Sequence, residues 1–216
     1  MKRVIYFLAS FSVAFTLIAA VYAQKGDILG KGENRLHNGG FENPVIDPWK
    51  LEVRADKGAV AIVEIDKNTS EEGKQSVKVT VTKPTGTAWH VKLRQDDRCF
   101  EKNKKFTLVF WAKAEKPRSI EASFQLQRDP WRVFFSQKID IDTEWKEYNV
   151  SFTPDVDNFQ DHWVAFHLAN SDIVTWFDDV RYFQGDLKDE VGRERQQVHP
   201  TGTLSATWGR IKRWFY

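Results

Sequence analysis

Apolar and polar residues alternate along short stretches of the chain between residues 38 and 184. Because successive side chains of a β-strand point to opposite faces, a period of two predicts strands rather than helices. The stretches with this pattern are 59–65, 76–81, 89–93, 106–112, 120–127, 148–152, 163–168 and 176–183. Turn-forming residues separate them, as in Lys83-Pro84-Thr85-Gly86. Short strands joined by turns, with no helical stripe, predict an all-β fold, an antiparallel β-sandwich.

The N-terminal residues do not follow this pattern. Lys2 and Arg3 precede an apolar run over residues 4–21, which ends in Val21-Tyr22-Ala23. This order predicts a secretory signal peptide over residues 1–23, and hence a protein that is secreted or lies at the cell surface or in the periplasm. An uncleaved anchor helix is the alternative. Residues 24–36 are rich in glycine and charge, and predict a linker.

The alternation also stops near the C-terminus, so the predicted sandwich covers residues 37–184. The next residues, 185–200, are strongly charged and predict a second linker. The last stretch, 201–216, is aromatic and basic, with Trp208, Trp214 and Arg213 among its residues. It is interpreted either as a docking or sorting segment, which could anchor the protein to a surface or partner, or as a mobile end.

Composition narrows the function classes. Without residues 1–23, which include Lys2 and Arg3 but no acidic residue, the chain carries 30 basic and 30 acidic side chains. This balance argues against nucleic acid or an anionic membrane as the partner. The single cysteine, Cys99, excludes an intramolecular disulfide and a multi-cysteine metal site. Nine tryptophans are difficult to bury completely, because each indole N–H needs a partner, so some are expected at a surface.

Three of the predicted strands carry polar residues along one face. These residues are His90, Lys92 and Arg94 in the first strand, Glu121, Ser123, Gln125 and Gln127 in the second, and Trp163, Ala165 and His167 in the third. If the strands share a sheet, its outer face combines hydrogen-bonding groups with an indole. Such a surface suits a polyhydroxylated ligand, whose sugar rings stack on indole while their hydroxyls meet polar groups. An ordinary solvated sheet face is the alternative.

Trp131 and the two cations extend this interpretation. Trp131 lies in the turn Arg128-Asp129-Pro130-Trp131-Arg132, where it could lean over the polar face or fold back on the core. Lys92 and Arg94 also permit an acidic glycan, whose binding would weaken as salt rises.

Several short motifs occur in one order between residues 38 and 184. They are Asn38-Gly39-Gly40-Phe41-Glu42, Glu72-Gly73-Lys74-Gln75-Ser76-Val77, the run 106–114, Trp145-Lys146-Glu147-Tyr148 and Trp176-Phe177-Asp178-Asp179-Val180. This ordered set resembles carbohydrate-binding modules of families four and nine. The resemblance implies a jelly-roll sandwich of the galactose-binding-like type, with the glycan in a cleft along the concave sheet.

The resemblance also implies roles for residues. Trp163 and His167 match cleft positions, as do Ser123, Gln125 and Gln127, and Trp131 resembles a loop aromatic that stacks on a sugar. The family's other stacking aromatic has no match near residues 51–53.

A structural Ca²⁺ ion is a further implication of the resemblance. Glu42 and Asp178 match positions that would serve as ligands, with backbone carbonyls near Gly73 and Lys74. Calcium binds six to eight oxygen ligands and could tie the N-terminal segment to the last strand. Alternatively, Glu42 caps a turn and Asp178 accepts backbone N–H groups.

Catalysis has little support in the sequence. Glycoside hydrolysis requires two carboxylates across a cleft, and only Glu121 falls on the predicted binding face. No nucleophile or acid is spaced in the sequence to work with His90 or His167. We therefore expect a secreted, non-catalytic module that binds a polysaccharide or oligosaccharide of the β-glucan or xylan type. A protein-docking or adhesion domain at the cell surface, and a hydrolase or lyase, are the alternatives.

Overall fold

A computed structural model describes residues 29–156 and 158–192 of the chain. The signal peptide predicted over residues 1–23 and the tail at 201–216 lie outside these residues, and their roles stay predictions. Within the described ranges the strands are β1 (Trp49–Val53), β2 (Val60–Asp66), β3 (Ser76–Lys83), β4 (Val91–Phe100), β5 (Phe106–Ala114), β6 (Arg118–Leu126), β7 (Val133–Ile141), β8 (Lys146–Phe152), β9 (Asn158–His167) and β10 (Thr175–Gln184). The helices are single 3₁₀ turns at Ala55–Lys57, Ala88–His90 and Leu187–Asp189.

The strands form two five-stranded sheets, which confirms the predicted all-β antiparallel sandwich. The first sheet has the order β1-β4-β9-β6-β7 and the second the order β2-β3-β10-β5-β8. All observed pairings are antiparallel. Strand β9 is central in the first sheet and lies between β4 and β6, so the three strands predicted to carry polar faces are neighbours.

Aromatic side chains fill the space between the sheets. Phe166 of β9 stacks on Phe177 of β10 with ring centroids 4.5 Å apart, and its centroid is 4.7 Å from that of Phe110 in β5. All three rings are completely buried. Because Phe166 points into the core, strand alternation turns Trp163 and His167 to the outer face of the sheet.

Strands β1 and β7 were not among the stretches identified by alternation. Both are edge strands of the first sheet, so each pairs on one side only. Most β7 side chains are exposed or half-buried, and its apolar residues Val133, Phe134 and Phe135 are consecutive. The first residues of β7 therefore do not follow the regular two-residue pattern that burial of one face imposes on β9, whereas β1 does alternate but over five residues only.

The sandwich extends beyond the predicted limits of 37 and 184. The Arg35 N–H donates to the Tyr182 carbonyl at 2.7 Å, and the Gly32 N–H donates to the Gln184 carbonyl at 2.8 Å. The Val191 N–H in turn donates to the Gly32 carbonyl at 3.0 Å, and Leu36 is buried in the core. The linker prediction therefore differs from the structure over residues 29–36, where backbone hydrogen bonds rather than an apolar pattern hold the segment. No helix in the described part of the chain has the length and apolarity to cross a membrane.

Candidate functional site

A cleft of about 560 Å³ crosses the outer face of the first sheet. Residues from all five strands or from the turns beside them line it. They are Glu52, Arg54, Trp89, Lys92, Arg94, Asp96, Glu121, Gln125, Gln127, Trp131, Val133, Trp163 and His167. The predicted polar face is therefore a concave surface rather than a flat solvated one.

Strand register aligns the charged residues of the cleft in one row. Lys92 lies opposite Glu52 on β1 and opposite His167 on β9, and His167 lies opposite Glu121 on β6. The row thus reads carboxylate, ammonium, imidazole, carboxylate across four strands. Alternation within each strand places these side chains on one face, as the sequence predicted.

Trp163 lies in this cleft but does not offer an open stacking surface, so that part of the prediction is wrong. Only 3% of the residue is exposed. The Lys92 ammonium lies 4.5 Å from its ring centroid and the Arg94 guanidinium carbon 4.6 Å, and the ring of Trp131 is 6.0 Å away. Cation–π attraction accounts for this cover. Trp163 therefore forms the floor of the cleft beneath two cations.

Trp131 is an accessible indole of the cleft, as predicted from its turn. It is 51% exposed, and its backbone has a φ of 56°, in the left-handed region that bulky residues rarely adopt. The Gln125 amide donates to the Trp131 carbonyl at 2.8 Å, and the Trp131 N–H donates to the Arg128 carbonyl at 2.6 Å. These bonds hold the ring over the cleft rather than against the core.

Trp89 is a second accessible indole, although alternation over residues 89–93 predicts that it lies on the face opposite His90, Lys92 and Arg94. It is 40% exposed and lies in the 3₁₀ turn Ala88–His90 that precedes β4, so strand alternation does not extend to it. Its ring lies 5.2 Å from the Arg54 guanidinium carbon and 5.9 Å from the Lys92 ammonium. Trp89 therefore places an aromatic ring on the β1 side of the cleft, where residues 51–53 provide none.

His90 belongs to the same turn, and its predicted place in the cleft is wrong. Its Nδ1 lies 2.8 Å from the Thr85 hydroxyl, and the residue does not line the cleft. The physical reason is again the 3₁₀ turn, which rotates His90 away from the face that Lys92 and Arg94 share. Gln125 and Gln127 do line the cleft as predicted, and Gln127 donates to the His162 carbonyl at 2.9 Å.

Ser123 is also displaced from its predicted role. It is fully buried and does not line the cleft, but its hydroxyl lies 2.9 Å from His167 Nε2. Glu121 Oε1 lies 3.7 Å from Nδ1 of the same ring and accepts a hydrogen bond from Ser136. A hydroxyl and an acid therefore flank His167, contrary to the expectation from sequence spacing. A serine with no exposed surface cannot meet a substrate, so Ser123 orients His167.

His167 is neutral at neutral pH. Burial, and secondarily the nearby Lys92 charge, lower its pKa from 6.5 to about 4. A folded-state pKa below the unfolded value means that the unfolded chain takes up the proton first as pH falls. The stability that His167 contributes is therefore complete above about pH 6.5 and is lost as pH falls toward about 4.

We expect the variant His167→Gln to be less sensitive to acid than the wild type. Between about pH 7.5 and pH 4.5, the wild type should lose about 2 to 3 kcal/mol more unfolding free energy than the variant. Urea unfolding of both proteins at each pH measures this difference. Asp178, whose pKa burial raises to about 6, changes stability in the opposite direction but is common to both proteins and cancels. Parallel pH profiles of the two proteins would contradict a lowered pKa of His167.

Ion pairs link the cations of the cleft into a chain on the β1–β4 side. Lys50 contacts Asp96 at 2.7 Å, and Asp96 also pairs with Arg94. Arg94 Nε lies 3.0 Å from one Glu52 oxygen, and the Lys92 ammonium lies 2.9 Å from the other. Burial lowers the pKa of Lys92, while Glu52 acts in the opposite direction. This side of the cleft therefore consists of charges already positioned by one another.

Glu42 and Asp178, the predicted calcium ligands, converge on one loop away from the cleft. Asp178 accepts the N–H groups of Glu71 at 2.8 Å and Glu72 at 3.1 Å. Glu42 accepts those of Lys74 at 2.7 Å and Gln75 at 3.2 Å.

These contacts match the alternative interpretation in which both carboxylates cap backbone groups. In residues 29–156 and 158–192, no three acidic, histidine or cysteine side chains cluster as a metal site. The oxygens nevertheless suit a hard cation if loop carbonyls complete the set. Gly73 leaves room beside them, since a Cβ there would lie 2.1 Å from Glu42 Oε1. Calcium stays a prediction.

Comparison with solved structures supports this fold. A CBM4 structure is 22% identical, with a TM-score of 0.60, covering 69% of this chain and 99% of that one. The CBM22-1 xylan-binding domain of Xyn10C from Paenibacillus barcinonensis is 12% identical, with a TM-score of 0.51, covering 71% and 94% respectively. The CBM22-1-CBM22-2 tandem of the same protein is 13% identical, with a TM-score of 0.54, covering 79% and 49%. At these identities the likeness concerns the fold alone.

Sequence comparison assigns the family. No curated protein matches the chain. The profile of the family CBM_4_9, described as a carbohydrate binding domain, matches residues 33–172. This range includes all the residues that line the cleft. The chain therefore belongs to the CBM_4_9 family of carbohydrate-binding domains.

Proposed function

We propose that the protein is a non-catalytic module that holds a polysaccharide of the β-glucan or xylan type in the cleft of the first sheet. The observation that carries this proposal is the pair of accessible indoles, Trp89 and Trp131, on either side of β9. Each indole offers a flat apolar face to the C–H face of a sugar ring. Between them, Gln125, Gln127 and His167 supply hydrogen-bonding groups for hydroxyls.

A binding role also explains the rigidity of the cleft. The amides of Gln125 and Gln127 donate to backbone carbonyls, and Ser123 fixes the His167 ring. Groups held in place before a ligand arrives lose little conformational freedom when it binds. The floor formed by Trp163 beneath Lys92 and Arg94 is likewise fixed by its neighbours.

Two carboxylates of the cleft, Glu52 and Glu121, are poorly placed for glycoside hydrolysis, and the third, Asp96, is paired with Lys50 and Arg94. Glu52 and Glu121 occupy the same row but lie three strand spacings apart, which separates their backbones by about 14 Å. Inverting and retaining glycosidases place their two carboxyl groups about 5 to 9.5 Å apart. Both oxygens of Glu52 are also engaged already, one by Lys92 and the other by Arg94.

Affinity electrophoresis through soluble β-glucan and through xylan tests the proposal. We expect retardation in at least one gel and no release of reducing ends when the protein is incubated with the same polymers. Migration unchanged by either polymer would contradict the binding role, and accumulation of reducing ends would contradict the non-catalytic role. An inert protein of similar charge controls for sieving by the gel.

Export of the protein is part of the proposal. It rests on the order of charged, apolar and small residues over 1–23, which is typical of a signal peptide. It also agrees with the proposed ligand, since polysaccharides of this type lie outside the cytoplasm. N-terminal sequencing of the protein from culture medium or from the cell envelope would show whether residue 24 is the new N-terminus.

Calcium binding to the loop at residues 71–75 is proposed as a stabilising contact, through Glu42, Asp178 and nearby carbonyls. We expect calcium to raise the melting temperature of chelator-treated protein by about 4 °C or more, and magnesium to act less, because magnesium tolerates irregular geometry poorly. Differential scanning calorimetry measures the shift. Glu42→Gln should abolish the response. An equal response in that variant, or none in the wild type, would contradict the site.

A further inference from the structure

The ion pairs on the β1–β4 side of the cleft contain more cations than carboxylates. The chain from Lys50 through Asp96, Arg94 and Glu52 to Lys92 begins and ends with a cation. A second chain, in which Asp56 lies between Arg54 and Lys57, has the same property. Together they hold five cations and three carboxylates. Of these, three cations and two carboxylates line the cleft, namely Arg54, Lys92, Arg94, Glu52 and Asp96.

Lys92 is the most buried cation of these two chains. It shares Glu52 with Arg94, and only 5% of the residue is exposed. Its ammonium lies near the faces of Trp163 and Trp89, at 4.5 Å and 5.9 Å from their centroids. Cation–π contacts compensate only part of the cost of removing an ammonium from water. A fixed, poorly hydrated ammonium that lines a cleft attracts an anion.

Arg54 completes an anion-binding corner beside Trp89. Its guanidinium carbon lies 5.2 Å from the Trp89 centroid, on a side chain held by Asp56 at 2.7 Å. Arg54 and Lys92 both line the cleft, and Asp56 does not. An anionic group above Trp89 would therefore meet two cations, while the carboxylates that pair with them, Glu52 and Asp56, are already engaged.

The opposite side of the cleft has the reverse character. Glu121 lies beyond the neutral His167, and two strand spacings, about 10 Å, separate its backbone from that of Lys92. Gln125, Gln127 and Trp131 carry no charge. The cleft is thus cationic at the Trp89 end, and neutral to acidic at the Trp131 end.

We infer that the cleft selects a polysaccharide that carries carboxylate groups, as uronic acid residues do, and that Lys92 and Arg54 bind one such carboxylate beside Trp89. This inference rests on the proposed function and specifies its ligand. It also gives the bound chain a direction, because the carboxylate is placed at the Trp89 end and an uncharged residue at the Trp131 end.

Calorimetric titration with 4-O-methylglucuronoxylan and with the same polymer after carboxyl reduction tests the inference. The two polymers share a backbone and differ in charge. We expect the wild type to bind the carboxylated polymer about tenfold more tightly, as one charge-assisted contact provides. Raising sodium chloride from about 0.05 M to about 0.5 M should reduce this preference and leave binding of the reduced polymer almost unchanged.

The variant Lys92→Met keeps the apolar stem over the indoles and removes the charge, and should bring the affinity ratio of the two polymers close to one. Lys50→Met is the matched control, since Lys50 is the exposed end of the same ion-pair chain and does not line the cleft. It should keep the preference. Arg54→Gln is a second test that does not require Lys92→Met to fold. It should also reduce the affinity ratio of the two polymers, because Arg54 is the more exposed cation of the corner.

The outcomes separate this inference from the proposed function. Equal binding of both polymers by the wild type overturns the carboxylate preference and leaves the binding module intact. A preference that survives in Lys92→Met and Arg54→Gln overturns the assigned corner. Binding of neither polymer, together with unchanged migration in β-glucan, overturns the proposed function and this inference with it.

Discussion

Replacing Trp131 or Trp89 by alanine is expected to weaken polysaccharide binding about 30-fold in each case, which corresponds to about 2 kcal/mol for an aromatic group central to an interface. The indoles are 51% and 40% exposed, so neither is needed to fill the core. The loss should therefore appear in affinity and not in the unfolding free energy. Calorimetric titration and urea unfolding of the same preparations measure the two quantities.

Trp145→Ala provides the control for this pair. Trp145 immediately precedes β8 of the second sheet, and its indole N–H donates to the Thr69 hydroxyl at 3.2 Å. The substitution should leave polysaccharide binding unchanged, whatever its effect on stability, because Trp145 does not line the cleft. If Trp131→Ala and Trp89→Ala bound as tightly as the wild type, the cleft would not be the binding surface.

The variant Trp163→Phe distinguishes the role of Trp163, at the floor of the cleft, from the roles of the accessible indoles Trp89 and Trp131. Phenylalanine keeps a ring beneath Lys92 and Arg94 but provides a weaker cation–π partner. We therefore attribute to Trp163 the positions of these two cations rather than direct stacking on a sugar.

The core of the first sheet could be predicted from the sequence because burial of one face imposes alternation. Strands β4, β6 and β9 are flanked on both sides in the sheet, and most of their inward residues are apolar, with Gln95 of β4 and His162 of β9 as buried polar exceptions. The outward residues Lys92, Arg94 and Trp163 were therefore assigned to the correct face. Edge strand β7 is less constrained and gave no such signal, and the alternation of β1 extends over only five residues.

The site was less predictable because exposure depends on contacts between distant residues. Alternation placed Trp163 on the outer face, but it contains no information about the two cations that cover the ring. It also extended β4 by two residues, which exchanged the roles of Trp89 and His90. Glu52 and Arg54 alternate with Leu51 and Val53. This pattern contains the information that charged residues of β1 and the turn after it face the cleft, although an aromatic ring was expected there.

Phe166→Ala is expected to cost about 3 to 5 kcal/mol of unfolding free energy, which is a large part of the roughly 5 to 15 kcal/mol available to a domain. Phe166 is completely buried and contacts Phe177 and Phe110 of the opposite sheet and Trp49 of its own sheet. Removing its ring leaves a cavity that rigid neighbours on both sheets cannot close. Urea unfolding at neutral pH measures the loss, and Phe166→Leu, which keeps much of the volume, should cost less.

The same variant separates the architecture from the binding surface. Phe166 lies between Trp163 and His167 in β9 but points away from the cleft, so the fraction of Phe166→Ala that remains folded should bind polysaccharide with affinity close to that of the wild type. Trp131→Ala should show the reverse combination of normal stability and weak binding. If the unfolding free energy of Phe166→Ala were within about 1 kcal/mol of the wild-type value, the described packing of the core would be contradicted. If its folded fraction failed to bind, the cleft would depend on the core beneath β9 as well as on its own side chains.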